Sequence, residues 1–232
     1  MNKIIIAVDC GLNGAISILE GDNIEVHLNC TKIEKRNKKD KKVYDFDKIL
    51  ELLKKYSNKE VLFIVERQGV RFSEGSVSSF TTGQGFGWFQ GVGMGLGFSV
   101  IIVPPQLWKK HYDKLETKEI AELRSEQKIV KVKLKVIKIE NKSIKDKALK
   151  KSNKIKEKEL NKEVEKIGRK IKSLSKDKAR EIASKIAPKI ADSFKKKNSD
   201  GLAEAVLIAM FFKDNHYELV QESEKGEEDD ND

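Results

Sequence analysis

The sequence predicts an α/β protein: a mixed five-stranded sheet flanked by helices, with a long basic insertion of helical type. Three observations predict it. β-Branched runs at hairpin spacing come first, at 3–9, 15–20 and 24–30. Helical and strand patterns then alternate up to Val103, and residues 115–174 turn into a Lys-rich heptad repeat.

The run Ile4-Ile5-Ile6-Ala7-Val8 reads as a buried strand, because it is continuous, β-branched and closed by the turn Cys10-Gly11-Leu12-Asn13-Gly14. Two more short strands follow, separated by Gly21-Asp22-Asn23, which makes an antiparallel meander. A polar, Lys-rich loop leads to an amphipathic helix near 46–56, with Phe46, Ile49, Leu50 and Leu53 at helical spacing. Val61-Leu62-Phe63-Ile64-Val65 is a fourth buried strand and ends at Glu66.

Residues 83–97 carry glycine at nearly every second position, a costly composition for any regular element. The reading is a helix pressed on the sheet, where missing side chains let backbones approach. Residues 98–103 form the fifth strand, stopped by Pro104-Pro105.

In the basic segment, Leu160, Val164, Ile167, Ile171 and Leu174 trace the a/d seam of a coiled coil. Residues 130–136 alternate at period 2, yet Leu123, Val130, Leu134, Ile137 and Ile144 also fit a heptad, so pattern alone leaves strand and helix open. Abundant Lys, Glu and Leu without proline favour a helical hairpin. Ser175 is read as the cap of a helix over 177–187, Lys195-Lys196-Lys197 precedes a last helix over 199–212, and the acidic residues 218–232 are expected to be disordered. The expected organisation is a discontinuous body (1–114 and 175–215), an insertion (115–174) and an acidic tail (216–232).

At 232 residues the chain suits one domain plus an insertion, and 36% charged residues exceed the roughly 25% of an average domain. The excess is local. Residues 109–197 hold 31 Lys+Arg and 14 Asp+Glu, net +17, so the rest of the +10 chain is net −7. Such a segment attracts polyanions, which favours nucleic acid or an anionic membrane surface. Cys10 and Cys30 are too few for a disulfide scaffold and lack zinc-site spacing. The uncharged stretch 75–108 is long enough to span a bilayer, but Gln84, Gln90, the Pro104-Pro105 break and seven glycines between 83 and 97 favour a buried helix and strand. The first apolar run is too short for a signal peptide.

Four carboxylates stand out. Asp9 closes the first strand, Glu66 closes the fourth, and Asp200 and Glu204 share one face of the last helix at i, i+4. If the strands are neighbours and the helix crosses their ends, the four acids meet, and divalent cations relieve the repulsion. Each acid also has a plainer reading: a turn residue for Asp9, a helix-dipole partner for Asp200, a surface residue for Glu204. Against the last stands the almost wholly apolar run of residues 201–210 around Glu204.

Val8-Asp9-Cys10-Gly11-Leu12-Asn13-Gly14-Ala15, Ile64-Val65-Glu66, Gly85-Phe86-Gly87-Trp88-Phe89-Gln90-Gly91, Pro105-Gln106-Leu107-Trp108-Lys109 and Asp200-Gly201-Leu202-Ala203-Glu204 occur in this order. Together they resemble the RuvC-type Holliday-junction resolvases, closest to the branch with phage and chloroplast enzymes. The resemblance covers most of 3–110 and 175–212. It departs in Cys10, where many relatives have proline, in Asn198-Ser199, where many have a basic residue or histidine, and in the long insertion.

The resemblance implies a ribonuclease H-like fold, a homodimer, and metal-dependent cutting of four-way DNA junctions to 5′-phosphate and 3′-hydroxyl ends. It also implies that Asp9, Glu66, Asp200 and Glu204 hold two ions about 3.5–4 Å apart. Hard oxygen ligands without a Cys/His cluster point to Mg²⁺ or Mn²⁺ over zinc. Arg67, Gln68, Arg71 and Phe72 follow Glu66 and are candidates for holding phosphates and stacking on an opened base, with core packing of Phe72 as the alternative. Lys109, Lys110, Lys195, Lys196 and Lys197 are candidates for backbone neutralisation. Trp88 and Phe89 belong either near a dimer interface or in the core. The insertion has three open roles: gripping duplex arms, extending the dimer, or none. The expected partner is branched DNA and not a membrane, and the expected location is cytoplasmic, nucleoid-associated or virus-encoded.

Overall fold

A computed structural model describes residues 3–36, 39–69, 75–144 and 146–225. The chain divides into two compact units, Met1–Lys114 with Ala179–Asp232, and Leu115–Lys178.

The first unit is built on a five-stranded mixed sheet. Strands β1 (Ile4–Val8), β2 (Ala15–Glu20) and β3 (Asn23–Leu28) form the antiparallel meander expected from their spacing. A separate antiparallel hairpin, β4 (Thr31–Arg36) with β5 (Lys39–Tyr44), comes next. Strand β6 (Val61–Glu66) then enters beside β1 and parallel to it, and β7 (Ser99–Val103) adds parallel to β6, giving the order β3-β2-β1-β6-β7. Both central strands, β1 and β6, are buried along their whole length, which explains their continuous apolar sequences.

Helix α1 (Phe46–Lys54) buries Ile49 and Leu53, and α2 (Ser76–Gly95) buries Phe89, in one core with Ile6, Phe63 and Val65. Trp88 stacks on Phe46, ring centroids 4.5 Å apart, so Trp88 and Phe89 of the Gly-rich segment, with Phe86, pack within the body. The glycines of α2 divide into two sets. A Cβ at Gly93 would lie 2.7 Å from the Phe63 ring, as expected of a helix pressed on a sheet, whereas Gly83, Gly87, Gly91 and Gly95 have nothing within 4 Å. Only part of the glycine content therefore serves that close approach. A short helix α3 (Pro105–His111) follows β7, started by proline at its first position.

In the second unit, α4 (Lys118–Ser143) and the first part of α5 (Lys147–Ile186) form an antiparallel helical hairpin. The Thr117 hydroxyl accepts from the Ile120 amide at 3.2 Å and starts α4. Leu123, Val130 and Ile167 make the core, with Leu160, Val164, Ile171 and Leu174 packed around it. Lys170–Glu119 at 2.8 Å and Lys138–Glu157 at 3.8 Å bridge the two helices at their surface, consistent with the register that the core sets. The heptad reading of 130–136 thus prevails over the strand reading.

Back in the first unit, α6 (Asp200–Lys225) lays Ala203, Ala205, Val206, Leu207, Ile208 and Ala209 into the core and packs on β1 and β2. Three expectations need correction. The Lys-rich loop before α1 is the β4–β5 hairpin. Ser175 lies inside α5 and does not cap a new helix. The last helix does not end near Phe212 but runs to Lys225 with a break at Asn215 (φ −123°, ψ 20°), so 216–225 of the expected tail is helical; 226–232 lie outside the described residues. Among the described residues no helix is long and apolar enough to cross a membrane.

Candidate metal-binding carboxylate site

Because β1 and β6 run parallel with Val8 opposite Val65, Asp9 and Glu66 leave the sheet side by side at its C-terminal edge. The turn after β1 is tied on itself: the amides of Asp9 and Ala15 donate to each other's carbonyls at 3.0 and 3.2 Å. Asn29 Nδ2 donates to the carbonyls of Asp9 (2.9 Å) and Gly11 (2.7 Å), and the Gly11 amide donates to Asp9 Oδ1 at 3.1 Å. From the β4–β5 hairpin, the Tyr44 hydroxyl donates to the Cys10 carbonyl at 2.8 Å. Buried Cys10 donates through Sγ to the Glu66 carbonyl at 3.3 Å, joining the two strand ends.

Helix α6 reaches this edge at Gly201. A Cβ there would stand 2.6 Å from the Asn13 carbonyl oxygen and 2.9 Å from Gly14 Cα, so only glycine lets the helix start so near the turn. One turn further, Glu204 comes within electrostatic reach of both strand-end acids.

The charges show the convergence. Burial, then Glu204, then Glu66 push the Asp9 carboxyl up to about 8, against the Gly11 amide and Lys109, which favour its charged form. Glu66, only 5% exposed, is also raised, first by burial and then by Glu204. Lys109, Trp108 and Gln68 oppose that rise. Trp108 Nε1 donates to Glu66 Oε1 at 3.0 Å and Gln68 Nε2 to Oε2 at 3.2 Å, while Lys109 Nζ stands 4.0 Å from Glu204 Oε1. Asp200, half-buried, opens α6 and shares its helix with Glu204.

As the side chains stand, no three His, Cys, Asp or Glu among the described residues are close enough to hold one ion together. Glu66 has both oxygens turned to Trp108 and Gln68. The donor chemistry still fits a hard divalent cation, because oxygen-only acids converge, Glu66 buried and the others half-buried, and the carboxyls of Asp9 and Glu66 are raised.

The other sequence candidates divide. Gln68 faces Glu66 and orients it. Lys109 serves the acids, with its Nζ also 4.8 Å over the Trp108 ring. Arg67 and Lys110 are exposed near the site. Exposed Lys195 pairs with Asp192 at 2.6 Å, and Lys196 and Lys197 are exposed beside it. Arg71 and Phe72 lie outside the described residues. Trp108 was not among the candidates; α3 carries its buried ring to Glu66.

Neither the protein-family models nor the curated proteins contain a match to this chain.

Proposed function

We propose that the chain is a RuvC-type resolvase of ribonuclease H-like fold: a Mg²⁺- or Mn²⁺-dependent endonuclease that cuts four-way DNA junctions by paired symmetric nicks, leaving 5′-phosphate and 3′-hydroxyl ends. One observation carries the reading. Asp9 and Glu66 end adjacent parallel strands, Glu204 crosses from α6, and burial, then Glu204, then Glu66 raise the Asp9 carboxyl well above its ordinary range.

In this reading Asp9, Glu66, Asp200 and Glu204 hold the cations. When bound, these supply an activated water and offset charge on the leaving 3′ oxygen. The protein's own groups set the stage. The raised Asp9 carboxyl would favour its charged form only beside a cation, and the Gly11 amide fixes one of its oxygens. Trp108 and Gln68 hold Glu66 in one orientation, and Lys109 tempers the charge of Glu204. Arg67, Lys110 and Lys195–197 suit phosphate contacts that position the substrate without reading its sequence. A two-fold homodimer matches a junction that needs two symmetric cuts.

The test is a nicking assay with purified protein and Mg²⁺ on four-way junctions, flaps, forks and linear duplex. Paired nicks confined to the four-way junction are expected, and Asp9→Asn or Glu204→Gln should abolish them while the protein stays folded. Wild-type cutting by either folded variant overturns the site, equal cutting of flaps and forks overturns the junction selectivity, and no cutting leaves at most a DNA-binding protein.

A further inference from the structure

The helical hairpin carries more apolar surface than its own core uses. On α4 one seam, including Val130 and Leu134, is buried. A second, Ile129, Val132, Val136 and Ile139, repeats at the same 3-4 spacing with exposures of 57, 57, 48 and 58%. Val132 and Val136 join Ile137 and Leu160 along an open groove of about 540 Å³ between the two helices. β-Branched side chains are poor choices for a solvated helix face, since they lose χ1 freedom and lower helix propensity. Four of them on one exposed stripe call for a partner surface.

The charges bordering this face say which partner. Residues 128–138 of α4 hold five lysines and no carboxylate, whereas residues 157–165 of α5 hold four glutamates and two lysines. The Lys138–Glu157 pair sets these stretches at one height in the hairpin, and the groove is bordered by Lys133 and Glu140 of α4 and by Lys156, Glu159 and Glu163 of α5, an excess of one negative charge, with Glu159 and Glu163 exposed. A two-fold axis running along the hairpin would lay α4 of one copy over α5 of another at that same height, so lysine-rich meets glutamate-rich twice. We infer that the hairpins of two copies of this chain pack through this face into a two-fold four-helix bundle centred on Val132 and Val136. Duplex DNA or an anionic bilayer would satisfy the lysines but would repel Glu159 and Glu163. Residues 115–178 are net +11, yet that longer-range repulsion is screened beyond about 8 Å at physiological salt, which leaves the local match in control.

The inference names a pairing surface for the proposed homodimer but needs no nuclease activity. Full-length protein with Val136→Cys is treated with a short bismaleimide, beside wild type as the control for the native cysteines and a Val132→Glu/Val136→Cys chain. A covalent dimer is expected from Val136→Cys alone. In sedimentation equilibrium, Val132→Glu/Val136→Glu should weaken self-association at least about tenfold with helicity unchanged, since both positions are exposed. Absence of the covalent dimer, or an unchanged dissociation constant, overturns the inference. So does a double variant that loses affinity for duplex DNA or phosphatidylserine vesicles while pairing as before. A chain that still sediments as a dimer without the crosslink rejects this surface alone and leaves paired nicking by paired bodies intact.

Discussion

Glu66 has both carboxylate oxygens engaged, one by the Trp108 indole N–H and one by the Gln68 amide, and it is almost fully buried. Groups that orient a metal ligand from behind typically matter by about 10–100-fold in metal affinity or activity. Trp108→Phe keeps a ring in the core and frees Oε1. On the nuclease reading it should raise the Mg²⁺ concentration needed for half-maximal nicking by about that factor; an unchanged Mg²⁺ dependence would show that the indole N–H merely satisfies itself. Asp9 yields a prediction that needs no activity. Its carboxyl is raised from an ordinary 3.8 to about 8 by burial and by Glu204 and Glu66. The folded state therefore keeps a proton that the unfolded chain releases. The stability this contributes is complete below the ordinary carboxylate range and is lost as pH rises through about 8. Thermal melts in chelator should fall in midpoint across that window, and Asp9→Asn should flatten the fall. Mg²⁺ should raise the midpoint most at its alkaline end, because there the acids are already charged. A slope identical in Asp9→Asn would place the titrating group elsewhere.

Between elements, the start of α6 decides whether Glu204 reaches the sheet edge. Gly201→Ala places a methyl 2.6 Å from the Asn13 carbonyl and 2.9 Å from Gly14, both backbone atoms that have little room to yield. The expected cost is about 1–3 kcal/mol in denaturant melts, with loss of nicking because the helix is displaced. Gly91→Ala on α2, with nothing within 4 Å, should instead stabilise by about 0.5–1 kcal/mol. Opposite signs for two Gly→Ala changes separate close approach from mere helix propensity. β1 and β6 were legible because central strands must be apolar throughout, and their acids were legible as the places where that run stops. The β4–β5 hairpin was not: Lys35, Arg36, Lys39, Asp40, Lys41 and Lys42 leave too few apolar positions for a period to emerge, and its strands pair only with each other. Ser175 misled because a capping side chain matters only where a helix begins, and the heptad stripe through Ile171 and Leu174 carries α5 past it. Trp108 and Gln68 were illegible as supports of Glu66, since such roles depend on which side chains a fold brings together.

At the scale of the whole molecule the charge separation becomes the testable quantity. Residues 109–197 are net +17 and the remainder is net −7, all of it in residues 216–232, so a polyanion is drawn to one stretch of chain while the sequence that carries the four carboxylates, 1–108 with 198–215, is neutral overall. Lysines beyond residues 128–138 remain available to phosphates even when two hairpins pair, among them exposed Lys150, Lys151 and Lys154 near the start of α5. Each phosphate contact releases condensed counterions, and duplex binding then weakens with salt at a slope of about 0.9 per contact. Deleting 116–173 should therefore lower junction affinity and flatten the dependence of log K on log salt by several contacts. The carboxylates would remain in place, so residual nicking at low salt should persist. Binding titrations at several salt concentrations check this directly. If the truncated protein binds with the same affinity and slope, the insertion serves pairing alone, and Arg67, Lys110 and Lys195–197 must hold the DNA. If affinity falls with an unchanged slope, the loss is one of dimer avidity, which the hairpin's apolar face and not its lysines would supply.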